Sequence, residues 1–154
     1  MRQIRNALFS SVLHGCRALA DECDVPRVRL RSAGEGPENT VKHGRILIGG
    51  QTLIAMDSPV KHEFTFNEGV SLQVMCDSQR ELDHYWEALS EGGVQGPCGW
   101  LKDRFGVSWQ VVPRDIAEWM TSRDAAARDR AFQAVMGMKK LDIAMIRTAF
   151  EGRA

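Results

Sequence analysis

The chain has 154 residues, a length that favours one domain with enough apolar side chains for a buried core. Its 20 basic and 20 acidic residues give a formal net charge of zero, so we expect neither nucleic acid nor a membrane as a partner. The apolar runs are too short to span a bilayer, and the start of the chain lacks the continuous apolar segment of a secretory signal, so we expect a cytoplasmic protein.

The four cysteines argue against a structural metal site. Cys16, Cys23, Cys76 and Cys98 form no Cys-x-x-Cys pair, and no histidine stands at zinc-finger spacing. We expect reduced thiols in a cytoplasmic setting. Cys98 lies in a predicted turn and is the cysteine whose neighbours indicate exposure. A reactive thiol would need a cation or a helix N-terminus beside it, and the sequence shows neither, so we expect it to be inert.

The first half of the chain is predicted to hold a helix and three strands. Apolar residues recur at helical spacing from Ile4 to Leu19, and Val28 to Arg31 alternates like a short edge strand. Two strand-like runs, His43 to Ile48 and Thr52 to Met56, flank Gly49-Gly50. Because glycine adopts positive φ at low cost, this pair predicts a β-hairpin.

Two strands in the second half share one pattern. Val70 to Val74 and Val107 to Val111 both read Val-Ser-apolar-Gln-Val, so the apolar side chains of each strand lie on one face and Ser and Gln lie on the other. A polar face is commonly solvated strand surface. Two matching polar faces on either side of one helix favour a curved sheet that holds a pocket.

The helix between these strands has clear boundaries. Ser78 and Glu81 have the spacing of a capping box, and Gly92-Gly93 marks the end. The apolar positions in between fall on one side of the helix, which predicts burial of Leu82, Tyr85, Trp86 and Leu89.

The remaining elements complete a repeated pattern. Gln95 to Gly106 is predicted to form two short strands around a corner at Lys102-Asp103-Arg104, and three helices follow over Asp115 to Met120, Arg123 to Met138 and Asp142 to Phe150. The fold class is therefore α+β in one domain, a curved mixed sheet built from βαβββ units. Residues 1–57 would form a divergent or incomplete first unit, residues 58–113 the second, and residues 114–154 a helical extension.

Five segments carry a family resemblance: residues 56–68, 85–93, 98–106, 108–113 and 138–144. On these segments the chain resembles the PhnB-like branch of the vicinal oxygen chelate superfamily, which includes glyoxalases, bleomycin-resistance proteins and extradiol dioxygenases. The resemblance covers about residues 33–152, and the match before Ser32 is poor. It implies the glyoxalase/bleomycin-resistance cup, and it supports a homodimer because such cups are usually completed by two chains or two domains.

Members of this branch often carry the name 3-demethylubiquinone 3-methyltransferase. The sequence itself gives that activity no physical support. S-adenosylmethionine usually binds at a Gly-rich turn between a parallel strand and a helix, whereas Gly49-Gly50 joins two predicted antiparallel strands.

The resemblance also implies where a divalent metal would bind. Superfamily enzymes hold it with side chains, typically His and Glu, from the first and last strands of each unit. The matching positions of the second unit here are Gln73 and Gln110, and a neutral amide oxygen is a poor ligand for a transition metal. We therefore expect no metal at these positions and no cofactor. The histidines show no i, i+4 pair and are interpreted as surface or loop residues: His14, His43, His62 and His84.

Neutral polar groups remain as the candidate ligand contacts. The predicted pocket has four hydrogen-bonding side chains, Gln73, Gln110, Ser71 and Ser108, and three aromatic walls, Trp100, Phe64 and Phe66. Trp100 fits a core position equally well, whereas Trp109 is expected in the core because it shares a face with Val107 and Val111. Glu63 and Glu68 could line the mouth or be solvated.

Two function classes follow. The first is a metal-free module that binds a small organic molecule, as the superfamily's resistance proteins do. The second is a lyase, isomerase or transferase of glyoxalase type, or the methyltransferase of the family name, with metal ligands outside the usual positions. No catalytic residue is assigned, and the expected partners are a small-molecule ligand and a second copy of the chain.

Overall fold

The structure, a computed structural model, describes residues 44–48, 51–55, 60 and 62–153. The expected helix from Ile4 to Leu19, the edge strand from Val28 to Arg31 and most of the first βαβββ unit lie outside these residues. His14, His43, Cys16 and Cys23 lie outside them as well.

A β-hairpin forms the first described part of the chain. Strands β1 (Gly44–Ile48) and β2 (Gln51–Ala55) pair antiparallel, with Ile48 opposite Gln51. Only residues 49 and 50 separate the two strands, so the hairpin predicted at the Gly-Gly pair is confirmed.

The second half of the chain forms a curved, unclosed, mixed sheet of four strands. These are β3 (Ser71–Cys76), β4 (Val94–Gln95), β5 (Trp100–Lys102) and β6 (Ser108–Pro113), in the spatial order β3-β6-β5-β4. The pair β3 and β6 is parallel, with Ser71 opposite Ser108, and the other two pairs are antiparallel.

Helix α1 (Gln79–Ser90) follows β3 and begins the crossover that a parallel pair requires. The Ser78 hydroxyl accepts a hydrogen bond from the Glu81 backbone N–H at 3.2 Å, as the capping spacing predicts. The Glu81 carboxylate, however, accepts from the backbone N–H of Asp77 at 2.6 Å, one residue before the N-cap. Gly92 takes a positive φ of 70° just beyond the helix.

The core lies between α1 and one face of the sheet and extends to the C-terminal part of the chain at Trp119 and Ile146. All four apolar residues predicted for α1 are buried, and they pack with the apolar face of the strands, where Trp109 and Val111 are among the most buried side chains. Fully burying one such side chain stabilises the fold by about 1.5–3 kcal/mol. The prediction that Trp109 is a core residue is confirmed.

The corner after β5 is organised by a buried carboxylate. Asp103 is 3% exposed, and its Oδ1 accepts hydrogen bonds from the backbone N–H groups of Phe105 at 2.9 Å and Val107 at 3.0 Å. Its Oδ2 accepts from the indole Nε1 of Trp109 at 2.9 Å. One side chain therefore closes the turn from β5 to β6 and fixes the orientation of a core tryptophan.

This corner corrects the predicted order of the short strands. The sequence indicated two short strands on either side of Lys102-Asp103-Arg104, but both short strands, β4 and β5, precede it. Residues 96–99 join them, and Gly96 N–H donates to the Trp100 carbonyl at 2.8 Å. The strand after the corner is the six-residue β6.

Three helices follow the sheet, as predicted: α2 (Ile116–Thr121), α3 (Ala125–Met136) and α4 (Ile143–Glu151). The turn between β4 and β5 holds the segment between α3 and α4, because the N–H groups of Cys98 and Gly99 donate to the carbonyls of Met138 and Lys139 at 2.7 and 2.8 Å. None of the helices in the described residues combines the length and the apolar character that crossing a bilayer requires.

Candidate functional site

A cavity of about 330 Å³ opens where β3 and β6 begin. Because these strands are parallel and in register, their first residues lie side by side, and the segment that leads into β3 lies beside them. The surface of the cavity is mostly apolar, with side chains from Phe66, Val70, Leu72 and Val107. The polar lining consists of short neutral groups on Thr65, Asn67, Ser71 and Ser108.

Two polar residues of the sheet, Ser71 and Ser108, line the cavity. Neighbouring strands in register present opposed residues on the same face, and Ser71 opposes Ser108. Gln110, two residues beyond Ser108 on that face, donates from Nε2 to the Ser71 Oγ at 2.8 Å. Ser108 is only 1% exposed, and its Oγ has no hydrogen-bond partner among the described residues.

The segment before β3 is held by an internal turn and an ion pair. Asn67 Oδ1 accepts from the Gly69 N–H at 2.9 Å. The carboxylate of Glu68 lies 2.5 Å from the Lys102 Nζ, and Lys102 on β5 is the register neighbour of Ser108. This hydrogen bond from Lys102 lowers the pKa of Glu68 below its ordinary value. These two charges, on residues next to the cavity lining, therefore pair with each other.

The structure places three of the predicted pocket residues in the cavity and four outside its lining. Phe66, Ser71 and Ser108 line it. Gln110 reaches it through the Ser71 hydroxyl. The three residues that contribute nothing to the lining are Gln73, Trp100 and Phe64.

Register and exposure explain these outer positions. Gln73 and Trp100 oppose Gln110 on β3 and β5, one step along the strands from the two serines. Gln73 is exposed, whereas Gln110 is partly covered. Phe64 is 70% exposed and stacks on His62, with the ring centroids 4.6 Å apart. Ligand contact by any of the seven residues stays a prediction.

Five lining residues were missed by the sequence reasoning: Thr65, Asn67, Val70, Leu72 and Val107. Leu72 and Val107 were assigned to the packing face, which is correct for most of each strand. At the strand starts, however, residues from both faces border the same space. The available signal was the segment from Thr65 to Val70, since it leads directly into the first patterned strand.

The described residues do not fit a divalent metal centre. No three side chains of His, Cys, Asp or Glu among them lie close enough together to hold a metal ion. The amide of Gln110 is engaged with Ser71, and a neutral amide oxygen is in any case a weak ligand for transition metals. The described residues at this face of the sheet therefore offer no ligand set for a divalent metal.

The two described cysteines are not part of the cavity. Cys76 is buried in the core, and burial raises the pKa of its thiol to about 12, which keeps it protonated at neutral pH. Cys98 is half-buried, and its Sγ lies 3.5 Å from the Met136 Sδ. The prediction that Cys98 is inert remains a prediction.

Comparison with known proteins identifies the family. The family profile described as 3-demethylubiquinone-9 3-methyltransferase matches residues 21–112, more than half of the chain. The chain belongs to this PhnB-like family. The matched range begins before residue 33, where the motif resemblance starts, and it ends before α2, so the three C-terminal helices lie outside it.

Solved structures support the same assignment. A PhnB protein from Bacillus cereus, named for 3-demethylubiquinone-9 3-methyltransferase, is 25% identical with a TM-score of 0.54, over 71% of this chain and 94% of that one. The protein PA1353 from Pseudomonas aeruginosa has a TM-score of 0.56 at 22% identity, over 71% of this chain and 91% of its own, and it supports the fold alone. No curated protein matches the chain.

Proposed function

We propose that this PhnB-like protein binds a small, mainly apolar organic molecule in the cavity at the start of β3 and β6, without a metal. The observation that supports this most directly is a mostly apolar cavity of about 330 Å³ that is lined by Ser108, whose buried Oγ has no partner among the described residues. Small-molecule sites typically combine an apolar concavity of this size with a few polar groups that orient the ligand.

The cost of the unpaired hydroxyl strengthens the argument. A buried polar group without a hydrogen bond destabilises a protein by about 1–3 kcal/mol, so such groups are rare. A ligand or water that pairs with Ser108 removes this cost.

The family name supports one alternative. It is an enzyme of glyoxalase type, a lyase, isomerase or transferase, or a methyltransferase acting on a 3-demethylubiquinone-like substrate, with any metal held by ligands outside the usual positions. The structure does not favour a methyl-donor site at Gly49-Gly50, because these residues connect the antiparallel strands β1 and β2.

A ligand screen by thermal shift separates these functions. A molecule that binds only the native state raises the unfolding midpoint by mass action. We expect apolar organic compounds to raise it equally in chelator and in divalent metal, and elemental analysis to find no stoichiometric zinc, nickel, manganese or iron. One metal per chain and metal-dependent shifts would instead support the glyoxalase-type enzyme. Methyl transfer from S-adenosylmethionine would support the methyltransferase activity that the family name gives.

We also propose that the protein is a homodimer. Several large apolar side chains on α3 and α4 are about half exposed: Phe132, Met136 and Met145. Burial of these groups against a second copy would stabilise the assembly. Light scattering at micromolar concentration should give twice the 17.2 kDa mass of one chain, and a monomer that persists on concentration contradicts the proposal.

A further inference from the structure

The hydrogen bond between Gln110 and Ser71 indicates what the Ser71 hydroxyl can offer a ligand. A serine hydroxyl has one proton to donate and two lone pairs to accept with. Gln110 Nε2 donates to the Ser71 Oγ, so one of its two lone pairs is in use and its proton is left to donate. No described residue accepts its proton. Ser71 can therefore donate to a group inside the cavity.

Ser108 provides a second donor beside the first. It opposes Ser71 in the parallel register, both residues line the cavity, and its Oγ has no partner among the described residues. Two adjacent hydroxyl protons in a mostly apolar space match one acceptor oxygen with two lone pairs. A donor chain from Gln110 through Ser71 also strengthens the last hydrogen bond in the series.

The charges in and around the cavity further restrict the class of ligand that it can bind. All eight described residues that line the cavity are neutral, and the nearby charges of Glu68 and Lys102 pair with each other at 2.5 Å. A charged group that enters an apolar cavity without a counter-charge loses its hydration with little compensation.

From these observations we infer that the ligand is an uncharged, largely apolar molecule with an acceptor oxygen of the carbonyl class, which Ser71 and Ser108 bind together. This inference rests on the proposed function, because it assigns a chemical class to the ligand of the same cavity. It makes the two serines the residues that determine specificity.

Matched bicyclic probes test the inference. Indane offers no hydrogen-bonding group, 1-indanone adds an acceptor oxygen, indole offers a donor N–H, and indane-1-carboxylate adds a negative charge. We expect isothermal titration to show that wild-type protein binds 1-indanone about five- to a hundredfold more tightly than the other three, the range that corresponds to a lost hydrogen bond.

Three variants test whether Ser71 and Ser108 cause the preference for 1-indanone. Ser108→Ala and Ser71→Ala should lower the affinity for 1-indanone toward that for indane, with little change for indane itself. The control is Ser90→Ala, because Ser90 is on α1 and does not line the cavity; it should behave as wild type. Ser108→Ala should unfold no earlier than wild type without ligand, since it removes a hydroxyl that has no partner.

Each other outcome is decisive. Equal binding of indane and 1-indanone, unchanged in Ser108→Ala, overturns the inference and leaves the proposed function standing. A preference for indole or for the carboxylate also overturns it, because the hydroxyls would then accept or the cavity would take charge. Failure of all four probes to bind up to their solubility overturns both the inference and the proposed function.

Discussion

At the scale of single residues, the buried Asp103 organises the corner between β5 and β6. Its carboxylate accepts from two turn N–H groups and from the indole of Trp109. Asp103→Asn replaces one acceptor oxygen with an N–H₂ group that must face a donor. We expect a loss of about 1–3 kcal/mol in the free energy of unfolding, measured by urea titration, because a buried donor is left unpaired.

The change should also be visible at Trp109. Near-ultraviolet circular dichroism should weaken in Asp103→Asn, since the indole loses its fixed partner. Asp129→Asn provides the control, because Asp129 is exposed on α3 and should change stability by less than about 0.5 kcal/mol. Equal stability of the two variants would show that the carboxylate does not organise the corner.

Strand alternation indicated the face of each polar residue but not its depth. The pattern placed Ser71, Gln73, Ser108 and Gln110 together, and the register confirms one shared face. Exposure then differs because β3 is an edge strand of the described sheet, whereas β6 lies between two neighbours. Gln73 is therefore exposed while Ser108 is buried. The neighbouring strands determine how exposed each side chain is, and the sequence of a single strand does not show which strands flank it.

At the scale of elements, the ion pair between Glu68 and Lys102 holds the segment before β3 against β5. The folded state lowers the pKa of Glu68, so the stabilisation is fully present above the ordinary value of 4.5 and is lost as pH falls through the lowered pKa. Asp77 and Asp83 have lowered pKa values through Arg114 and Lys140, and they act in the same direction.

We therefore expect the midpoint of thermal unfolding to fall with acidification below about pH 4.5, and to fall less steeply in Glu68→Gln. The effect of one solvated pair is small, and 0.5 M salt should reduce it further. Glu63→Gln is the matched control in the same segment, since Glu63 is exposed and Glu68 is the partner of Lys102. A Glu68→Gln profile that superimposes on wild type would rule out this role for the pair.

Local signals predicted most of the described elements. The Gly-Gly hairpin, the capped helix α1 and the three C-terminal helices all follow from turn chemistry and apolar periodicity. The prediction for the segment from Gln95 to Gly106 was less accurate, because its strands are only two and three residues long. Such short strands show no periodicity, and hydrogen bonds to neighbours define them.

At the scale of the whole molecule, the βαβββ order of residues 71–113 was predictable, and it is confirmed. The matching polar faces and the βαβββ order predicted one curved mixed sheet, and the family resemblance implied the same architecture. The position of the cavity, in contrast, could not be predicted from the sequence pattern. Its position depends on how the segment from Thr65 to Val70 meets the starts of two strands that are 37 residues apart, and no local pattern encodes that contact.

The most direct test of metal-free binding is to fill the cavity. Ser108→Leu puts a larger apolar side chain into the space, and Leu72→Phe fills it from the neighbouring strand without removing a hydroxyl. In chelator-treated protein we expect 1-indanone to raise the unfolding midpoint of wild type and to leave both folded variants unshifted. A shift that survives filling, or one that requires a divalent metal in wild type, would contradict the account.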